Sequence, residues 1–237
     1  MSNEIIRKRK SIRKYDMAKL DDETLVAVQA KLNSLSPLFS DIAYSIDIVE
    51  KTKGIFGIKA PHYLVFSSEE TDGSRENIGF VGQQMDLFFS AMGLGACWLG
   101  MAKPENVRDS ALPFAISMAF GRPAEALHRN LDDFKRKPLA EISEGNDARL
   151  EAARLAPSGM NAQNWYFIAE EALIHCYIKE RGGKFGMAAL ANRLARIDLG
   201  IALCHIAEES EGFGYARRDD APERAGFVYA GTVAGLT

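Results

Sequence analysis

The sequence predicts a protein of mixed helices and strands built as two half-domains around one shared core, and three observations predict it. Residues 77–100 form the longest stretch that is apolar on nearly every side, which marks a buried central helix. Short runs with a period of two lie before and after it and read as strands. Beyond residue 146 the same order of elements recurs, and a repeat of this kind decides the architecture.

Composition bounds the function. The chain has 237 residues, 47% of them hydrophobic and 26% charged, as in an ordinary globular protein able to bury a sizeable core. A net charge of −3 argues against general nucleic-acid affinity. No apolar run approaches the roughly 18 residues of a membrane span, and the basic N-terminus has no apolar segment behind it, so no anchor or signal peptide is expected and the cytoplasm is. Cys97, Cys176 and Cys204 are widely spaced and, with four scattered histidines, make no zinc pattern. They read as reduced core residues, and no metal site is expected.

In order, the chain opens with six Lys or Arg between Arg7 and Lys14, interleaved with Ile5, Ile6, Ile12 and Tyr15. A solvated basic arm is one reading. The interleaved apolar residues favour an anchored segment whose guanidinium groups, around Ser11, need an anion such as phosphate. Asp21 or Asp22 can cap a helix through Leu25, Val28 and Leu32, broken at Pro37. Residues 42–49 and 62–66 read as strands, and 71–76 as a polar turn. On the central helix, Val81, Met85, Phe88 and Met92 share one face, while Gly93 and Gly95 are expected at positive φ to close it, with 96–100 turning back. A capped polar helix is expected near 104–110, then an inward strand over 114–120 closed by Gly121 and Pro123. Residues 125–146 are polar, lack periodicity and read as a linker.

After the linker, Asp147, Leu150, Ala153 and Leu155 run as a helix into Pro157, as Asp22, Leu25, Val28 and Leu32 run towards Pro37. Residues 166–168 and 174–178 read as strands. A helix over 190–208 carries Asp198-Leu199-Gly200-Ile201 where the first half has Asn77-Ile78-Gly79-Phe80, and Gly212-Phe213-Gly214 closes it as Gly93-Leu94-Gly95 closes the first. Residues 226–232 finish as a strand. The predicted division is therefore 1–124, a linker over 125–146 carrying Arg136, and 147–237, intertwined as one unit. The sharpest local motif is 156–165, APSGMNAQNW. It can be a plain Pro-Ser-Gly turn into a strand. Equally, Ser158, Asn161 and Gln163 on a small-residue loop could grip the polar edge of a cofactor.

Together these segments form a resemblance. Arg9-Lys10-Ser11-Ile12-Arg13, the Gly79 and Gln83-Gln84 helix running to Trp98-x-Gly100, Gly121-x-Pro123 followed by Arg136-Lys137-Pro138-Leu139, and Ala156-Pro157-Ser158-x-x-Asn161-x-Gln163-x-Trp165 resemble the nitroreductase family of FMN-dependent oxidoreductases. The resemblance implies an α+β fold, with a mixed, mainly antiparallel sheet packed with helices, and FMN at a dimer interface. In typical members the Pro-Ser motif follows the N-terminal arginines closely. Here that place reads SLSPLFSD, and the motif sits in the second half, so the chain resembles a dimer fused into one polypeptide with one FMN.

Carried over residue by residue, the resemblance implies a cofactor site of Arg9, Lys10, Ser11, Arg13, Trp98, Leu99, Gly100, Arg136, Pro157, Ser158, Asn161 and Gln163. Arg9, Ser11 and Arg136 would face the phosphate, Arg13 the pyrimidine edge, Pro157, Ser158 and Asn161 the ring and ribityl chain, and the 98–100 backbone the N5 side. No catalytic side chain is expected, because the flavin carries the chemistry. The implied activity passes electrons from NADH or NADPH through FMN to a small electron-poor acceptor of nitroaromatic or quinone type. The alternatives are a flavin-binding protein without reductase activity, acting as a sensor or on the flavin itself, and a cofactor-free scaffold. The expected partner is the small acceptor, with no nucleic acid or membrane, in a monomer with a pseudo-dimer fold or a homodimer.

Overall fold

A computed structural model describes residues 2–53, 58–105, 111–183 and 185–236. The elements run α1 (Ser2–Ile6), α2 (Asp22–Leu32), β1 (Tyr44–Val49), β2 (Thr52–Lys53), β3 (His62–Ser68), α3 (Ser74–Ala91), β4 (Gly95–Leu99), β5 (Lys103–Pro104) and β6 (Phe114–Gly121). They continue with α4 (Leu139–Ile142), β7 (Ser143–Glu144), α5 (Arg149–Leu155), β8 (Trp165–Glu170), β9 (Leu173–Ile178), α6 (Gly186–Glu208), β10 (Glu211–Ala216) and β11 (Val228–Leu236). The α+β class is as the sequence predicts.

Two sheets follow one plan. The first has the order β1-β3-β6-β4 and the second β10-β11-β9-β8-β7, while β2 and β5 pair separately. In each large sheet a strand pair precedes the long helix and another follows it, and the last strand lies beside the second. All these pairs are antiparallel; only β7 adds to β8 in parallel. β3 is buried along its whole length because it lies inside its sheet and under α3, hence its unbroken apolar run Tyr63-Leu64-Val65-Phe66.

The two long helices, α3 and α6, cross at the centre. Glycines make the crossing possible. A Cβ on Gly79 would lie 2.0 Å from the carbonyl oxygen of Ile197, and a Cβ on Gly200 would lie 2.0 Å from that of Glu76. The backbones therefore touch where side chains are absent, and each helix inserts its glycine against the other. Around this contact Ile78, Met85, Phe89, Ile197, Leu199, Ile201 and Leu203 fill a continuous core. At 25 cal/mol per Å² of apolar surface, each such side chain contributes roughly 1.5–3 kcal/mol.

Several expectations are corrected. The central helix ends at Ala91, and 95–99 is strand β4 paired with β6, so Gly95 is extended and only Gly93 takes positive φ, at 80°. A five-residue apolar run has no decisive period, and its distant partner strand settles its form. Met92 is 41% exposed rather than in the core. Gly212-Phe213-Gly214 lies within β10. The helix expected at 104–110 falls mostly outside the described residues; its first residue, Pro104, pairs with Thr52. The 125–146 stretch is tied down: Phe134 is buried, Arg129 donates to the Arg9 carbonyl, and α4 and β7 form within it.

Candidate functional site

The end of β4, the N-terminal segment around Ser11 and the loop after α5 converge on a cavity of about 780 Å³, within the usual range for cofactor pockets. Ser11, Arg13, Trp98, Leu99, Gly100, Pro157 and Ser158 all border it, so seven predicted residues from three distant segments line one cavity. Leu190, Leu194 and Asp198 of α6 complete the lining beside them. β4 puts Trp98 here because its indole stacks on Phe66, at 5.6 Å, and donates to Gln83 Oε1 at 3.3 Å.

The 157–163 loop owes its shape to its own polar groups. Ser158 Oγ accepts the Gln163 N–H at 3.0 Å, and Met160, Asn161 and Gln163 all adopt positive φ. Holding three non-glycine residues there costs free energy and needs a surrounding structure that enforces it. Gln163 does so: its amide accepts the Lys137 N–H at 2.7 Å and donates to the Asn161 carbonyl at 2.9 Å. It is buried and supports the loop instead of bordering the cavity. Asn161 accepts from Arg136 Nη1 and donates to the Lys135 carbonyl. Lys10 is paired with Glu125 at 3.2 Å, to one side.

Behind Ser11 and Asn161 lies a cluster of cations. Arg9 is almost fully buried, with Nε 2.9 Å from Asp86 and Nη2 donating to Ser11 Oγ at 3.2 Å. Arg129 sits over one face of Phe134, 3.5 Å from the ring centre, with Arg136 at 5.7 Å from the same ring. Burial, then the neighbouring Arg9, pushes Arg129 down to about 10. Burial, then Arg129 and Arg9, pushes Arg136 down to about 9. Arg9 Nη1 and Arg136 Nε are buried without a hydrogen-bond partner among the described residues. Asp86 is the one carboxylate ion-paired with these three guanidinium groups among the described residues, so the cluster keeps an excess of positive charge, and a phosphate would match both that charge and the unused donors.

Sequence reasoning missed Arg129, Asp86 and Asp198. Asp86 anchors a buried relay: Gln83 donates to it at 3.0 Å and faces His205 Nε2 at 3.0 Å. His205 Nδ1 lies 2.9 Å from the Ala152 carbonyl, which can only accept, so that nitrogen carries the proton and Nε2 accepts from Gln83. Burial pushes His205 down to about 3, leaving it neutral at physiological pH. Each missed carboxylate stands alone in an apolar run, MDLFF and IDLGIAL, a signal that marks buried carboxylates worth testing. Among the described residues no group of three His, Cys, Asp or Glu is placed to hold a metal, and no helix is long and apolar enough to cross a membrane.

Comparison with known proteins bears on the fold and the family. A family model described as "Putative TM nitroreductase" matches residues 3–210. A structure titled a "putative nitroreductase" from Thermotoga maritima superposes with a TM-score of 0.66 at 20% identity, covering 99% of this chain and 93% of that one. A nitroreductase family protein from Clostridium difficile matches 59% of this chain and 94% of its own at 17% identity and a TM-score of 0.49. A second C. difficile protein, titled "FMN-dependent Nitroreductase", covers 54% of this chain and 92% of its own at 17% identity and a TM-score of 0.43. No curated protein matches. The fold and the family match over most of its length show that this chain belongs to the nitroreductase family.

Proposed function

We propose that the protein is an FMN-dependent oxidoreductase that passes electrons from NADH or NADPH to a small electron-poor acceptor of nitroaromatic or quinone type. The observation that carries this reading is a guanidinium cluster, Arg9 buried and Arg129 and Arg136 half-buried, with unused donors, set behind a cavity whose walls come from both halves. FMN fits these residues: it offers a dianionic phosphate to the cluster and a flat ring to the cavity. When bound, it would supply the two-electron chemistry.

Arg9, Ser11, Arg129 and Arg136 would hold the phosphate, with Arg129 added to the predicted set. Arg13, exposed beside the cavity, would face the pyrimidine edge and offset negative charge there. Pro157 and Ser158 would pack on the ring, and the backbone of Trp98, Leu99 and Gly100 would offer N–H groups to its redox-active edge. Lys10 and Gln163 support this set from behind, through Glu125 and the 157–163 loop. The apolar cavity wall on α6 would exclude water from the reacting ring.

We read the chain as two family-type halves fused, 1–124 and 147–237, with one site per chain, because the first-half counterpart of the Pro-Ser loop lacks the asparagine and glutamine. The common strand order of the two sheets and the reciprocal glycine contacts support that reading. The test is flavin absorbance of the purified protein, with stoichiometry per chain, followed by anaerobic addition of NADH and of NADPH. One FMN per chain, bleached by either nucleotide, is the expected result. Colourless protein that takes up no FMN on reconstitution would sink the proposal, and bound flavin that neither nucleotide bleaches would remove the reductase activity from it.

A further inference from the structure

One carboxyl interrupts the buried length of α6. Asp198 is 5% exposed, borders the cavity, and accepts the Gly159 N–H with its two oxygens at 2.9 and 3.1 Å. Among the described residues it has no ion-pair partner. Burial without a counterion pushes it up to about 7.

The other half of the fold shows what such a position needs for structure alone. Asn77 on α3 stands where Asp198 stands on α6, each two residues before the glycine of the helix crossing. Asn77 Oδ1 accepts the N–H groups of Leu38 and Phe39, at 2.8 and 3.1 Å, just after Pro37. Asp198 does the same for Gly159, just after Pro157 and Ser158. A neutral amide therefore suffices to hold the loop, whereas a buried carboxylate without a counterion costs free energy that structure alone does not require. The difference between the two places is the cavity, which Asp198 borders and Asn77 does not.

Charged groups on the surrounding elements are engaged elsewhere. Arg196 of α6 pairs with Glu76 of α3 and with Glu180; on α5, Arg154 pairs with Glu151 and Arg149 with Asp147. Arg136 and Lys137 bond the 155–163 backbone and Asn161. Among the described residues the cations bordering the same cavity are Arg13 and Arg181, and the remaining ionisable group there, the Cys97 thiol, is pushed by burial up to about 11.

On the flavin reading given above, we propose that Asp198 is the proton-coupling acid of this cavity, taking a proton from solvent as an electron pair enters and giving it to the acceptor that removes the pair. The nicotinamide donor brings two electrons and one proton. The added negative charge draws a second proton onto an Asp198 oxygen. A quinone-type acceptor then leaves with two electrons and two protons; one proton comes from Asp198, whose O–H bond breaks to restore the carboxylate. The nicotinamide is oxidised and the quinone reduced to the hydroquinone, so electrons and protons balance.

The test is the midpoint potential of the FMN-loaded protein from about pH 5.5 to about pH 9, in wild type and Asp198→Asn. The Asn variant keeps an oxygen for the Gly159 N–H, as Asn77 does for its loop. A two-electron couple that takes one proton falls about 30 mV per pH unit, and one that takes two falls about 59 mV. Above pH about 7 the wild type should follow the steeper line and the variant the shallower one. Parallel lines overturn the proposal while leaving the flavin reading intact; protein that loads no FMN overturns both. Reduction-induced infrared difference spectra give a second measure on wild type alone. A carboxylic C=O band should rise on reduction, and a wild-type spectrum without it overturns the proposal even where the variant fails to fold.

Discussion

Gly200→Ala puts the central helix crossing under direct test. The new methyl group would lie 2.0 Å from the Glu76 carbonyl oxygen, and ordinary contact begins at 3.4 Å, so the helices must part locally by about 1.4 Å. Two effects compete. Alanine is the better helix former by about 1 kcal/mol, which at an open site would stabilise the protein. Against that, forcing one extra carbon into a packed core costs about 1–3 kcal/mol or more, and a radial gap of even ~1 Å forfeits a quarter to a half of the dispersion well of each separated pair. The obstruction is backbone, which cannot rotate away as a side chain can, so the steric cost wins and a net loss of about 2 kcal/mol is expected. Followed by circular dichroism in urea, the midpoint should fall by about 1 M for a slope of about 2 kcal/mol/M. Gly79→Ala, which meets the Ile197 carbonyl at the same 2.0 Å, should match it, and the double variant should lose less than the sum because one displacement relieves both. Gly182→Ala, with nothing within 4 Å, should leave the midpoint in place. An unchanged or raised midpoint for Gly200→Ala would refute the glycine-to-backbone packing of α3 on α6.

Other consequences are open to measurement. Asp198 has a folded-state pKa of about 7, above its unfolded value of about 3.9, so the folded state holds more protons and the carboxyl costs stability increasingly as pH rises from about 4 through about 7. Asp198→Asn should therefore raise Tm more at pH ~8 than at pH ~4.5, and an equal gain at both would count against a buried titrating carboxyl. Arg136→Ala should weaken FMN binding, measured by fluorescence titration, by tenfold or more, since a charge-assisted bond of about 1.5–3 kcal/mol is lost; unchanged affinity would remove Arg136 from the phosphate set. Cys97, Cys176 and Cys204 are all buried with pKa values raised, so a thiol reagent at pH ~8 should label none before unfolding and all three after it.

The readable parts of the fold were those with a period. Asp21 caps α2 by accepting the Thr24 N–H at 2.8 Å, and β3, β6, β8 and β9 lie where alternating or unbroken apolar runs stand in the sequence. Residues 95–99 were misread because ACWL carries no period and becomes a strand only through β6, some twenty residues on. The site divides in the same way. Arg9, Ser11, Pro157 and Ser158 stand in short local motifs, and the structure brings their segments together. Arg129 gains meaning only through Arg9, 120 residues away in the chain, whose carbonyl it bonds, so no local pattern reveals it.

On the one-site reading proposed above, the two halves explain how a single site can arise on a nearly symmetric frame. Both long helices carry a polar residue two positions before the crossing glycine, and both use it to hold the turn after a proline. In the first half the turn is Pro37-Leu38-Phe39, with two bulky apolar residues, and the helix residue is the amide Asn77. In the second it is Pro157-Ser158-Gly159, with small residues that leave room, and the helix residue is the carboxyl Asp198. The frame fixes the hydrogen bond in each case, while side-chain volume and charge decide whether a cavity forms beside it. The small residues at 158 and 159 and the ionisable group at 198 border one cavity with Trp98 and Leu99 of β4. The open cavity and the titrating carboxyl therefore lie together at the second-half turn, while Leu38 and Phe39 of the first-half turn do not border that cavity.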